Sequence, residues 1–395
     1  MTSKNKLNLI IDFNNISFRA LFTCTYASEY EVSTFDTNKE CEILVRKIAT
    51  DLSFIIREFV PDNVIIVCDA KHPWRNKLYD NIPGETYKGN RVKDENKNWT
   101  KIFNSLDDLK NILKNKGFVV TEINNAEADD LAALYKNYLL NIGESMVLVS
   151  SDKDWTQLVS FEQLYNQFCI VYNPIPNNKG KKKIFINEEF NNWLNQEENK
   201  NDIFFNNTNT CKKRIINAKS KDKIETTVID PENVLLEKII CGDAGDNVPG
   251  FYEFYKNGKR WRITPLRMNK IFESANLKTI NDLKTGNNIN NFIKELEIIS
   301  KHTIDDIEPN ARLLRQRKLV ELNIDLFPPE IVSEFNEQIQ KFTENCLVNT
   351  SNIKMEDILS GTKYVSTDYK KSKENSIFKE LQNLDYLIER NTKLF

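Results

Sequence analysis

The sequence predicts an α/β protein: a parallel sheet with helices on both faces, followed by a helical region. Three observations predict it. Four short apolar, β-branched runs (7–11, 64–68, 117–121 and 146–150) read as strands buried on both faces. Helical periodicity lies between them, which makes crossover units and therefore a parallel sheet. Each run is followed within a few residues by an acid, at the strand ends where such sheets place their ligands.

The first run ends at Asp12-Phe13-Asn14-Asn15, where a lone aspartate could be no more than a turn former. A helix over roughly 40–59 follows, with Ile43, Leu44, Ile48, Leu52, Ile55, Ile56 and Phe59 recurring on one face. The second run ends in Asp69. The third leads into Glu127-Ala128-Asp129-Asp130 and a helical apolar pattern, and the fourth runs into Ser151-Asp152-Lys153-Asp154. Acids at a helix start have an ordinary explanation, since they cap free N–H groups and complement the helix dipole. Five carboxylates at the exits of two strands read as adjacent call for more. Their mutual repulsion is costly unless cations sit between them.

Between the second and third runs, 71–101 has a different texture. Eight Lys and Arg, among them Arg75, Lys88 and Arg91, alternate with Trp74, Tyr79, Tyr87 and Trp99. Cations can neutralise phosphates and aromatic faces can stack on bases; a solvated loop anchored by its aromatics has the same composition. After Asp154 the run 168–172 reads as an edge strand. Residues 174–226 are rich in Lys and Asn and read as a surface insertion, with extra nucleic-acid contact as the alternative. A helix begins at Pro231 and leads into the turn-rich, doubly acidic Gly242-Asp243-Ala244-Gly245-Asp246-Asn247-Val248-Pro249-Gly250, with further helices at 266–275, 288–299 and 329–345. The organisation expected is an α/β domain over 1–175 with a basic segment about 71–101, an insertion over 176–227, a helical domain over 228–345 and a tail over 346–395.

Bulk composition excludes several classes. The chain of 395 residues has 55 Lys+Arg against 57 Asp+Glu, so overall charge points to no partner and any basic surface must be local. The seven cysteines, at 24, 41, 68, 169, 211, 241 and 346, contain no C-x-x-C and read as reduced core residues. Neither His72 nor His302 lies in a zinc-like cluster, and no Gly-x-x-x-x-Gly-Lys-Ser/Thr loop is present. No leader peptide and no membrane span are expected, which implies a cytoplasmic protein.

Asp12, Asp69, Glu127-Ala-Asp129-Asp130, Asp152-Lys-Asp154 and Gly-Asp243-Ala-Gly-Asp246-Asn-Val-Pro-Gly resemble, in identity and order, the acidic sites of the 5′-nuclease superfamily, the flap endonucleases and phage 5′–3′ exonucleases. Within it the nearest likeness is to the ribonuclease H branch of T-even phages. Trp74-Arg75 and Tyr87-Lys88-Gly-Asn-Arg91 are similar to that group's arch, and 319–328 to its C-terminal domain. The stretch 251–261 stands where the family usually has another small-residue turn.

The resemblance implies a PIN-like fold with a helix–three-turn–helix domain and a phosphodiesterase with two Mg²⁺ ions, for which Mn²⁺ can substitute. It implies one metal site from Asp12, Asp69, Glu127, Asp129 and Asp152, and Asp130, Asp154, Asp243 and Asp246 on the second side. Asp69 and Asp152 are its essential acids, Lys88 and Arg91 steady the scissile phosphate, and Arg75, Gly245 and Gly250 help hold nucleic acid. Implied substrates are DNA and RNA–DNA hybrids with nicks, flaps or duplex 5′ ends, as in primer removal during phage DNA replication in a host cytoplasm. Implied partners are a sliding clamp or single-strand-binding protein, with no membrane and a monomeric state. The apolar spacing around 377–388, after a polar lead, suits docking into a partner's groove or folding back onto the body. Two other classes stay open: a non-catalytic nucleic-acid-binding relative, and a Mg²⁺-dependent α/β phosphohydrolase.

Overall fold

The computed structural model describes residues 6–27, 34–79, 86–89, 91, 93–196, 224–256, 258–285, 287–305, 308–342 and 353–364. The chain forms two compact units, one from 1–71, 94–229 and 330–395, the other from 72–93 and 230–329.

The first unit is built on β1 (Leu7–Asp12), α1 (Phe13–Ala27), α2 (Asn38–Phe59), β2 (Asn63–Val67), α3 (Trp99–Asn115), β3 (Val119–Thr121), α4 (Ala128–Asn141), β4 (Ser145–Val149), β5 (Ser160–Glu162), β6 (Gln167–Asn173), β7 (Lys182–Ile186), α5 (Glu188–Asn195) and β8 (Ile224–Val228). Among the described residues the sheet runs β3-β2-β1-β4-β6-β7-β8, with β5 beside β6. β1 pairs in parallel with β2 and β4, β2 with β3, and β4 with β6. The chain thus steps outward from β1 to β3 and returns on the other side of β1, so the strand order reverses between β1 and β4. The crevice at such a reversal, outside the carboxyl ends of the strands, is where α/β sheets hold ligands. The runs ending in β3 and β4, read as adjacent, are separated by β2 and β1.

Helix starts follow local chemistry. Thr37 and Glu40 form a reciprocal capping box on α2, whose apolar face (Leu44, Val45, Ile48, Leu52, Ile55, Ile56) is buried. Val60 closes the helix in the left-handed region at φ 46, just before Pro61.

Two expectations are corrected here. β6 is interior, parallel to β4 on one side and antiparallel to β7 on the other. Both of its edges are therefore hydrogen-bonded, and Phe168–Tyr172 is buried throughout. The segment read as a surface insertion supplies β7, α5 and β8. Phe190 of α5 is fully buried and stacks on Phe168 with centroids 5.1 Å apart, and Trp193 and Leu194 join the same core. Residues 197–223 lie outside the described residues.

The second unit comprises α6 (Pro231–Cys241), the hairpin β9 (Glu253–Lys256) and β10 (Lys259–Arg262), then α7 (Pro265–Ser274), α8 (Ile280–Leu283), α9 (Asn288–Ser300) and α10 (Pro309–Val320), with a 3-10 turn at Trp74–Tyr79. Asp230 and Thr264 cap α6 and α7, and α6, α7 and α10 each begin with Pro, whose missing N–H costs nothing there. Leu236, Ile240, Phe251, Phe272, Phe292 and Leu313 form the core. The sequence reading had no helix at 309–320; in this basic stretch only Leu313, Leu319 and Val320 among its apolar residues are buried.

The chain returns to the first unit with α11 (Pro329–Phe342) and α12 (Met355–Leu359). Phe335 meets Tyr135 edge-on at 4.9 Å, and Ile358, Leu359 and Tyr364 lie in the main core. Residues 353–364, expected as part of a tail, are therefore core-forming, while the 377–388 segment lies outside the described residues. No helix among the described residues is long and apolar enough to cross a membrane.

Candidate active site

The acids of the first unit stand at the carboxyl ends of the central strands. Asp12 is the last residue of β1 and only 6% exposed. Its Oδ1 accepts the Asn15 N–H at 2.9 Å and its Oδ2 the Ser150 hydroxyl at 2.9 Å. Burial, reinforced by the charges of Asp69 and Asp152, drives its pKa up to about 7 against the lowering pull of those hydrogen bonds. Asp69, two residues past β2, accepts the Ala128 N–H at 2.8 Å and so sits on the positive end of α4.

Glu127 caps α4 and is buried, and its N–H donates to Oδ2 of the fully buried Asp130 at 3.0 Å. Asp129 accepts the indole N–H of buried Trp155 at 2.5 Å. Asp152 caps the 3-10 turn Lys153–Leu158, its Oδ1 accepting the Asp154 N–H at 2.9 Å. Asp154 is buried beside it.

The second unit gathers the remaining sequence-predicted residues. Asp243 is bonded by Lys238 Nζ and accepts the Gly245 N–H at 2.8 Å. Burial pulls its pKa upward, but Lys238 and the Gly245 and Asp246 N–H groups outweigh that and hold it below the ordinary carboxylate range. Asp246 receives Arg91 at 2.5 Å on Oδ1 and Lys88 Nζ at 3.6 Å on Oδ2, while the Lys88 N–H donates to the Asp246 carbonyl at 2.9 Å. Asn247 donates its amide to the Thr86 carbonyl and its own carbonyl accepts the Tyr79 hydroxyl. Thr86, Lys88 and Arg91 thus dock on the 243–250 loop.

Gly242 was not among the expected site residues. At φ +80 a Cβ there would fall 2.6 Å from both the Gly250 nitrogen and the Val248 oxygen, so only glycine closes this loop. The Gly250 N–H donates to Glu253 at 2.8 Å. Arg75 is 2% exposed, with its guanidinium over the Trp74 ring.

Residues 7–191 match the family model of the 5′-3′ exonuclease N-terminal resolvase-like domain. Over these residues, just under half of the chain, the sequence carries a domain of that exonuclease family. A 5′-3′ exonuclease of Mycoplasma genitalium is 29% identical over 188 residues, which span 47% of this chain and 57% of that protein. Among solved structures, a flap endonuclease D15 of bacteriophage T5 in complex with DNA and metal ions has a TM-score of 0.51 at 17% identity, covering 86% of this chain and 100% of that one. The T5 D15 protein co-crystallised with metal ions has a TM-score of 0.50, also at 17% identity, covering 85% and 99%. At that identity the two likenesses speak for the fold alone.

Within the 5′-nuclease domain, a polar layer that sequence reasoning missed holds the acids. Asn14 Oδ1 accepts the Asp69 N–H at 3.4 Å, and Asn15 Oδ1 accepts both the N–H and the hydroxyl of Ser151. Ser150 accepts the Asp152 N–H at 3.1 Å while donating to Asp12. The only signal in the sequence was adjacency, Asn14-Asn15 after Asp12 and Ser150-Ser151 before Asp152. Among the described residues, no three His, Cys, Asp or Glu side chains stand close enough to hold one ion by themselves. The donors are carboxylate oxygens, the set a hard cation accepts while keeping several waters of its own. A buried carboxylate, Asp12, whose pKa is raised by burial and by the charges of Asp69 and Asp152, fits such an ion.

Proposed function

We propose that the chain is a divalent-metal-dependent nuclease that cleaves nucleic acid from 5′ ends and at 5′ flaps. One observation carries this reading. Asp12, Asp69, Glu127 and Asp152 lie at the carboxyl ends of β1 to β4 around the strand reversal, and burial among like charges pushes Asp12 to about 7. Two Mg²⁺ ions, or Mn²⁺ in their place, would supply an activated hydroxide and charge stabilisation for the leaving oxygen. Asp12, Asp69, Glu127, Asp129 and Asp152 would hold the first ion, directly or through water. Asp154 would serve the second; Asp130, whose Oδ2 accepts the Glu127 N–H, would act by positioning that residue.

The rest is work for the chain's own groups. Ser150 and Asn15 orient Asp12, and Trp155 orients Asp129. Lys88 and Arg91 would exchange Asp246 for the scissile phosphate, one anion for another, and steady its growing charge.

The names of the relatives, an exonuclease and a DNA-bound flap endonuclease, support DNA as the substrate class. The motif likeness favours RNA–DNA hybrids as well, in the manner of a ribonuclease H removing primers during phage replication. A monomer in the host cytoplasm, with a sliding clamp or single-strand-binding protein as partner, completes the proposal. The test is a 5′-labelled flap, a nicked duplex and an RNA–DNA hybrid, each incubated with Mg²⁺ or with EDTA. Cleavage from the 5′ side that EDTA abolishes is the expected result. Hydrolysis of a simple phosphomonoester with none of the three cut would overturn it.

A further inference from the structure

The hairpin of β9 and β10 carries a basic, aromatic face that the proposed chemistry does not use. Its register pairs Trp261 with Phe254, Arg260 with Tyr255 and Arg262 with Glu253. Side chains alternate along a strand, so Glu253, Tyr255, Arg260 and Arg262 share one face and Phe254 and Trp261 the other. The second face is anchored: Phe254 stacks on Trp261 at 4.8 Å and on His302 at 4.0 Å. The first face borders a cavity of about 230 Å³, lined also by Ala244, Asn247 and Pro249.

Within that cavity one carboxylate collects two kinds of donor. Glu253 Oε1 accepts the Gly250 N–H at 2.8 Å, and its Oε2 accepts Arg260 Nε at 2.6 Å. A backbone N–H and a guanidinium are the donors that nucleic-acid phosphates take from proteins. Arg262 is exposed on the same wall, and Tyr255 is 75% exposed beside Arg260.

We infer that this hairpin is a phosphodiester-binding subsite for a nucleic-acid strand. Glu253 holds the place of the phosphate when no strand is bound, Arg260 and Arg262 take the phosphate, and Tyr255 offers a stacking face to a base. The substrate class rests on the nuclease reading above.

The test measures binding of a 5′-flap duplex by fluorescence anisotropy, with the full chain in EDTA, over a series of salt concentrations. For Arg260→Gln/Arg262→Gln, affinity at low salt should fall by about 3-fold or more, and the slope of log K against log salt should flatten by about one to two. Glu253→Gln, which removes the competing anion, should tighten binding. Tyr255→Ala, an exposed position, should weaken binding to the single-stranded flap by about 5-fold or more. Wild-type affinity and salt slope in the arginine double variant, with flap cleavage by the wild type intact, would overturn the subsite and leave the nuclease reading standing. Weakened binding and a lowered melting temperature in Glu253→Gln would reduce the Glu253–Arg260 pair to a structural salt bridge. A wild-type chain that neither binds nor cuts any strand would overturn both.

Discussion

Ser150, one residue beyond β4, donates its hydroxyl to Asp12 Oδ2 at 2.9 Å and so ties together the two strands between which the sheet order reverses. Ser150 Oγ in turn accepts the Asp152 N–H at 3.1 Å. One hydroxyl therefore sets the positions of two acids, Asp12 and Asp152, 140 positions apart in the sequence. A buried carboxylate held this way is oriented, and burial favours its protonated form.

The metal-free protein should lose stability as pH rises. Asp12 holds a proton up to about 7 in the folded chain, against 3.8 for the ordinary side chain. Folding takes up a proton between those values, so this contribution is full below the lower one and is lost as pH climbs through the upper one. The slope should approach about 1.4 kcal/mol per pH unit inside that window. Melting temperatures in EDTA from pH 5 to 8 should fall, Mg²⁺ should restore stability at the alkaline end, and Asp12→Asn should flatten the profile. A profile as steep in Asp12→Asn as in the wild type would assign the effect elsewhere.

Asp69→Asn and Asp152→Asn should each lose cleavage by roughly 10³-fold or more, the scale for removing a group that stabilises developing charge. In Asp152→Asn the new amide oxygen could still accept the Asp154 N–H, so the turn should stay folded. Duplex affinity should hold or rise as repulsion of phosphate falls. Near-normal Mg²⁺-dependent turnover in either variant, measured on a labelled flap, would sink the metal assignment.

Trp155→Phe keeps an aromatic ring in the core but removes the N–H that Asp129 accepts. Urea denaturation should show a loss of about 1–3 kcal/mol for a charged group deprived of a buried donor. Turnover should drop while affinity for duplex in EDTA stays level. Unchanged turnover would mean that Asp129 needs no orienting partner.

Gly242→Ala should open the 243–250 loop, because its Cβ would meet backbone atoms at 2.6 Å and φ +80 strains any side chain. Hydrogen exchange should speed at Val248, whose N–H donates to the Asp243 carbonyl at 2.7 Å, while β1 and β4 keep wild-type protection. Uniform loss of protection in both units would instead point to one cooperative fold.

The four central strands and their acids were legible because a strand buried on both faces leaves an unbroken apolar run with polar residues only at its ends. Asp12, Asp69 and the acids of 127–130 and 152–154 stood out on that basis, and only the family resemblance gave them roles at a metal site. Other features depended on neighbours that no local pattern names. Phe168–Tyr172 looks the same whether one strand or two lies beside it, and β7 proved to be the second. Arg75 reads as a surface cation until Trp74 and its burial are seen. The helix Pro309–Val320 hid in a basic stretch because so little of its apolar surface is needed for packing.

The sequence by itself determined the α/β class and the order of the acidic exits, which are written in local periodicity, and the identity and order of those acids carried the family resemblance. Only the tertiary structure decided which acids are oriented and by what. Ser150 on Asp12, Trp155 on Asp129 and Arg91 on Asp246 join residues 138, 26 and 155 positions apart. Hydrogen bonds over such separations depend on how strands and turns pack, and the residues at either end carry no mark of their partner.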